Sequence, residues 1–229
     1  MSAVLLVIAV IGFTPSFLLR PYFRDTSIPT YLFVHGTLLL AWFTAFFHQN
    51  YLIARGKVQS HRRNGILWFV LVLGIIAANL YVLRSISVEA VQNQVSYYDV
   101  VRTPENSAGL VVGNIFITLI SSIMVLIGYL GRKKFQVHQR AMFAASVILV
   151  LPAFDRFMRP FDLESIHPLL NFIVLANLFP LALILHDLKT RRKPHPVTWI
   201  FTAVLVLMVP VLAAVIGAGW GAGVVRFLG

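Results

Sequence analysis

The chain has 229 residues, of which 59% are hydrophobic and only 12% charged, and this composition excludes a soluble globular protein because too few polar side chains are present to cover a surface. The net charge of +11 is spread between long apolar segments rather than gathered on a polar face, which excludes a nucleic-acid-binding protein. The chain contains no cysteine, so disulfides, thiolate metal sites and iron–sulfur clusters are excluded as well.

Seven apolar segments are each close to about 20 residues long, the length with which an α-helix crosses a bilayer. In chain order they are 4–19, 31–54, 66–83, 110–130, 141–157, 169–185 and 197–216. Continuous apolar runs without the alternation of barrel strands predict helices, because backbone polar groups in lipid must be bonded within their own segment. We therefore predict an all-α, polytopic transmembrane helical bundle of about seven helices, which forms a single domain over residues 1–229.

Lysines and arginines are divided unevenly between the two ends of these segments. The connections 55–65, 131–140 and 186–196 together carry a net charge of +11, whereas seven arginines on the other side are balanced by seven acids. Because basic residues are retained on the cytoplasmic side, this asymmetry places the three connections and the N-terminus inside the cell. The long connection 84–109 is then predicted to be an external loop.

Two of the basic connections resemble each other. The segments 55–63 and 132–140 share R-x-K-x-Q-x-H-x-R, which is five matching positions in nine, at an offset of 77 residues. The match predicts duplicated helical hairpins, with helices 2–3 and 4–5 as parallel copies. The alternative is that juxtamembrane loops converge on a basic composition because they all face anionic lipid.

Short motifs stand at the ends of the predicted helices. They are, in chain order, Phe13-x-Pro-Ser16, His35-Gly36, His61-Arg-Arg-x-Gly65, His138-Gln-Arg-x-Met142 and His195-Pro196. Together they resemble a family of uncharacterised bacterial multi-pass integral membrane proteins. The resemblance implies a location in the inner (plasma) membrane of a bacterium, and it implies no particular activity.

Polar residues inside apolar segments are costly in lipid and therefore indicate where a site lies. With a rise of about 1.5 Å per residue, seven of them fall within roughly 2–8 Å of the predicted external ends of five helices. They are His35, Asn79, Asn114, Asp155, Arg156, His167 and Asn171. We predict that they form one polar layer, in which the side chains of His167 and Asn171 share a helix face because they are four residues apart.

Three interpretations of this layer remain open. The first is a hydrogen-bonded network that joins helices, in which Asp155 pairs with Arg156 or Arg159. In the second, His35 and His167 bind haem b or a transition metal, and the other five residues surround these ligands. The third is a polar pocket for a quinone head group, a lipid or a small solute.

A second set of histidines lies just before helices 3, 5 and 7, on the basic side: His61, His138 and His195. The dipole at a helix start disfavours protonation of a nearby imidazole, so these residues could form a tri-histidine metal site. Helix capping at the membrane interface is the favoured alternative for them.

The function that the sequence favours is a haem- or metal-associated redox or respiratory-accessory component. The alternatives are a small-solute or lipid transporter and a non-catalytic scaffold subunit of a membrane complex, and whether the protein is an enzyme stays open. Membrane lipids are the expected partners. A scaffold would also bind other membrane subunits or further copies of the chain, through the glycine-rich segment 217–223, which is predicted to be a close-packing surface or a flexible cap.

Overall fold

The computed structural model describes residues 1–23, 26–96, 100–158 and 170–229, and within these ranges the chain is helical with no strand. The α-helices are α1 (Ser2–Phe13), α2 (Thr30–Ala54), α3 (Val58–Val91), α4 (Pro104–Leu130), α5 (Phe135–Met158), α6 (Leu170–Arg191), α7 (Pro196–Gly217) and α8 (Trp220–Leu228). A π-helical segment, Thr14–Leu18, and a 3-10 turn, Arg20–Tyr22, follow α1. The predicted all-α class is confirmed.

Five helices, α2, α3, α4, α5 and α7, are long and apolar enough to cross a membrane. They make this a multi-pass helical membrane protein. Outward side chains such as Leu67, Val70 and Leu207 are more than half exposed, and they form the surface that lipid contacts. The segment Ser2–Leu18 is a shorter apolar helix. The total of about seven crossings and the duplication of the hairpins stay predictions.

Hydropathy located the helices but not their ends. α3 covers Val58–Val91, although the predicted segment was 66–83, and its 34 residues correspond to a length of about 50 Å. α4 begins at Pro104, so the connection between α3 and α4 is 92–103 rather than 84–109. The physical reason is that hydropathy reports which residues suit lipid, whereas a helix continues through polar residues until the backbone changes direction.

Local backbone chemistry sets these ends. Gly56 and Asn93, which flank α3, have φ values of +69° and +51°, in the left-handed region that interrupts a helix. The start of α4 is a capping box, in which the Thr103 hydroxyl accepts from the Asn106 amide N–H and the Asn106 side chain accepts from the Thr103 N–H.

α8 is a helix that the sequence did not predict. It follows Gly219, whose φ of +75° ends α7. Gly221 faces α4 so closely that a Cβ there would lie 2.9 Å from the Cβ of Ala108. The Arg84 guanidinium donates to the carbonyl oxygen of Leu228, which holds the last turn against α3. The second half of the glycine-rich segment, 220–223, is therefore helical and packs on α4 through Gly221.

α5 is the central helix of the bundle, and it contacts α1, α2, α4, α6 and α7. Small residues such as Ala141, Ala144 and Ala145 are fully buried along it and let its neighbours approach closely. α1 packs closely against it, because a Cβ on Gly12 would lie only 2.1 Å from the carbonyl oxygen of Ala153. The core of the protein therefore surrounds α5.

One end of the bundle is basic and the other is neutral. The basic end carries the connections 55–57, 131–134 and 192–195, and the neutral end carries the connections 19–29 and 92–103. Much of the predicted basic connections, such as 58–65, forms the first turns of the following helices instead.

Candidate functional site

His35 lies in the second turn of α2 near the neutral end, and it is half-buried. Its Nδ1 atom is buried and has no hydrogen-bond partner among the described residues. The guanidinium of Arg156, from the last turns of α5, lies close enough to interact electrostatically with this imidazole. A buried polar atom without a partner costs about 1–3 kcal/mol. The imidazole of His35 therefore presents an open polar position near a permanent positive charge.

Aromatic side chains border this position. The Arg156 guanidinium carbon lies 5.2 Å from the centre of the Phe13 ring. The ring of Phe17, in the π-helical segment, lies on the backbone of Gly36, where a Cβ would come within 2.7 Å of it. Phe17 also stacks on Phe33 with the ring centroids 5.8 Å apart. Gly36, beside His35 in the His-Gly motif, is thus the small residue that lets the π-helical segment pack on α2 at this point.

Two other members of the predicted layer bond elsewhere. Asn79 is buried, and its amide donates to the Thr118 hydroxyl at 2.6 Å, which joins α3 to α4. The Asn114 amide donates to the carbonyl of Leu110 at 2.8 Å, within its own helix. Asn79 therefore fits the first interpretation of the layer, in which polar residues join helices.

The remaining members are only partly described. Asp155 is half-buried in α5, next to Arg156. His167 lies outside the residues that the structure describes, and so does the side chain of Asn171. Within the predicted layer, His35 and Arg156 interact electrostatically across α2 and α5.

Within the described ranges, no three His, Asp or Glu side chains come together. A cavity of about 10 Å³ lies between α2, α3, α4 and α5, where Trp42, Thr118 and Ser121 line it, and His35 does not. That volume is close to the least that one water needs. The predicted His35 and His167 ligand pair stays a prediction.

A buried ion pair lies at the basic end, and the sequence did not predict it. Asp187 of α6 is fully buried, and one of its oxygens accepts from Nε of Arg140 in α5 at 2.9 Å and from Nη2 of the same guanidinium. Its other oxygen accepts from the Thr198 hydroxyl at 2.6 Å and from the backbone N–H of His195 at 2.8 Å. Asp187 was the single acid in the three basic connections, which was the signal that could have revealed it.

The three histidines of the basic end do not share one role. His195 caps α7, because its Nδ1 accepts from the Val197 N–H at 3.1 Å, and this confirms the capping alternative for that residue. Burial and the guanidinium groups of Arg140 and Arg191 hold the pKa of His195 below its usual value. His61 and His138 lie inside the first turns of α3 and α5, with ring centroids 6.1 Å apart. The structure therefore brings two of the three together.

Comparisons of the chain with protein-family models, curated proteins and solved structures find no match. The resemblance to a family of bacterial membrane proteins stays a prediction. The functional conclusion therefore rests on the geometry of the described residues.

Proposed function

We propose that this multi-pass membrane protein binds a small ligand at the neutral end, through His35 and Arg156. The observation that carries the proposal is the buried Nδ1 of His35, which has no partner among the described residues and lies beside a guanidinium. Folded proteins rarely leave such an atom unbonded, and a ligand group that reaches both residues would remove the cost. Among the functions that the sequence allows, the open polar position of His35 favours a transporter of a small solute or lipid, which is called the carrier below.

The chemistry of the pair defines the group that it would bind. Arg156 can only donate hydrogen bonds and keeps its positive charge, so it favours an anionic or carbonyl oxygen. The imidazole of His35 can donate to the same group from Nδ1. Phe13, Phe17 and Phe33 make the surroundings apolar. The ligand is therefore a molecule with one oxygen-bearing head and an apolar body, such as a fatty acid or a quinone.

A haem- or metal-associated redox component is the second candidate. The same unpartnered imidazole favours it, because neutral histidine is a good ligand for haem iron or copper. His35 would hold the metal, and Arg156 would face a carboxylate of the porphyrin. The bound group would supply electron-transfer chemistry.

The test is to purify the protein in a mild detergent and identify what remains bound. We expect mass spectrometry of an organic extract to find an acidic or quinone-like molecule near one equivalent in the wild type. His35→Leu and Arg156→Gln should each lose it. Asn114→Ala should retain it, because the Asn114 amide donates to the Leu110 carbonyl within its own helix.

Two outcomes would contradict this proposal. One is the absence of any stoichiometric organic ligand, and the other is a ligand that both variants retain. An absorption spectrum and metal analysis of the same preparation decide the second candidate. A Soret band or stoichiometric metal that His35→Leu abolishes would establish the redox component in place of the carrier.

A further inference from the structure

The rings of His61 and His138 form a pair at the basic end, outside the His35 site. Their centroids lie 6.1 Å apart and the ring planes are nearly perpendicular. Both residues are half-buried, in the first turns of α3 and α5. The first predicted apolar residue of α3 is Ile66, so the pair lies where the polar surface of the membrane begins.

The hydrogen bonds of the two rings determine their tautomers. Nδ1 of His138 lies 2.9 Å from the carbonyl oxygen of Gly128, which can only accept, so this nitrogen carries the proton. In the side-chain orientation that satisfies every partner, the amide oxygen of Gln49 accepts from Trp68 Nε1 at 2.7 Å, and its NH₂ group donates to His61 Nδ1 at 2.6 Å. His61 therefore carries its proton on Nε2.

This assignment makes the pair one donor and one acceptor. Nε2 of His61 presents an N–H, and Nε2 of His138 presents a lone pair. A metal ion bridging the rings would need a lone pair from both. For Nε2 of His61 to offer a lone pair, the proton would have to move to Nδ1, and the Gln49 amide would have to reverse. The reversed amide would place its oxygen 3.2 Å from the His61 carbonyl oxygen and its NH₂ group against the Trp68 N–H. The hydrogen bonds therefore oppose metal binding.

We propose that His61 and His138 bind a phosphate monoester in its singly protonated form. Such a group carries a P–OH, which donates to Nε2 of His138, and a negatively charged oxygen, which accepts from the N–H of His61. Arg62 lies close enough to interact electrostatically with the His61 ring and would balance the charge. A phosphate diester has no P–OH and cannot satisfy His138. The site is thus selective for monoesters, unlike a basic surface that attracts any anionic lipid.

Two sources could supply this group at the basic end. One is a lipid with a monoester head, phosphatidic acid, and the other is free inorganic phosphate or a soluble monoester. The two histidines would bind the same P–OH and P–O⁻ groups in each case. The position of the pair at the start of the apolar segments allows either, so the experiment contains an arm for each source.

The test uses two lipids with the same acyl chains, one of which carries a P–OH where the other carries a P–OCH₃. Purified protein in nanodiscs of neutral lipid is titrated at pH 6 with dioleoyl phosphatidic acid or with its methyl ester, a diester, and bound lipid is counted by native mass spectrometry. At this pH about half of the monoester keeps its second proton. We expect about tenfold tighter binding of phosphatidic acid, the ratio that corresponds to one hydrogen bond worth about 1.4 kcal/mol. Equal affinity for the two lipids overturns the proposal without any variant.

Variants locate the site. His61→Phe and His138→Phe should each abolish the preference while general binding of anionic lipid remains. His186→Phe, a change in an exposed histidine at the same end, should keep it. Stoichiometric zinc that both pair variants lose would overturn the assignment of donor and acceptor. In the second arm, millimolar inorganic phosphate that displaces the lipid identifies free phosphate as a ligand, and a preference that it does not affect identifies the lipid.

Discussion

The helices are joined by different kinds of contact at the two ends of the bundle. At the basic end, the buried carboxylate of Asp187 accepts from Arg140, Thr198 and the backbone of His195, and so joins α5, α6 and α7. At the neutral end, Gly12 lets α1 approach the backbone of α5, and Gly36 lets the ring of Phe17 pack on α2, so close packing rather than charge joins these elements.

Buried polar groups that stabilise the fold can thus be distinguished from buried polar groups that can bind a ligand. A carboxylate whose oxygens are all bonded has no capacity left for a ligand, so the Asp187 cluster stabilises the fold. The imidazole of His35 keeps a buried nitrogen that has no partner among the described residues, near the cation of Arg156, so it has a capacity to bind that the Asp187 carboxylate lacks.

Removing one partner of the buried ion pair should have the largest effect. Arg140→Met leaves the Asp187 carboxylate buried without its cation, and we expect a loss of about 3–5 kcal/mol in the free energy of unfolding. Denaturant unfolding in detergent, followed by tryptophan fluorescence, measures it. The double variant Arg140→Met with Asp187→Leu should recover much of the loss. A double variant as unstable as the single one would show that the charge is not the cause.

The close packing of the neutral end should be the next most sensitive feature. Gly12→Ala places a Cβ against the Ala153 carbonyl oxygen, and we expect α1 to move away with a loss of about 1–3 kcal/mol. Gly65→Ala is the matched control, because a Cβ there would meet no neighbouring atom of the described residues within 4 Å and alanine favours a helix. Equal stability of the two variants would argue against the contact between α1 and α5.

A half-buried ion pair at the neutral end should matter less. The carboxylate of Glu89 accepts from the Tyr31 hydroxyl at 2.5 Å and from Arg102 Nε at 2.9 Å, with side-chain exposures of 17% and 9% for Glu89 and Arg102. Glu89→Gln should cost about 1–2 kcal/mol in unfolding free energy. Glu105→Gln breaks the exposed pair with Arg226, which solvent screens, and should change the unfolding free energy less than Glu89→Gln does. The reverse order would show that burial does not determine the strength of these pairs.

The smallest expected effect is a dependence on pH at the basic end. The folded protein holds the pKa of His195 below its unfolded value of about 6.5, so protonation favours the unfolded chain and stability falls as the pH drops through about 6.5. His195→Asn keeps an oxygen that can cap α7 but does not titrate. Between pH 8 and pH 5.5, the melting temperature of the wild type should therefore fall further than that of the variant. Parallel curves would mean that His195 does not contribute.

Some of the contacts at the basic end could be predicted from the sequence, and others could not. The motif His195-Pro196 before an apolar segment predicted a helix cap, and the cap is present. The shared motif of the two connections pointed to His61 and His138 as equivalent positions, but no spacing along the chain predicts that the rings meet. Asp187 was visible as a lone acid, and its partner Arg140, 47 residues away in sequence, was not.

The sequence by itself determined that the protein resides in lipid, that its long apolar segments are helical and how charge is divided between the two ends. These properties follow from hydropathy and backbone hydrogen bonding, which act within a segment and need no knowledge of its neighbours. Only the tertiary structure decided which polar side chains find partners. That depends on the rotation of each helix about its axis, because a turn of about 100° per residue decides whether a side chain such as Asn79 or His35 meets a hydroxyl, a guanidinium or nothing.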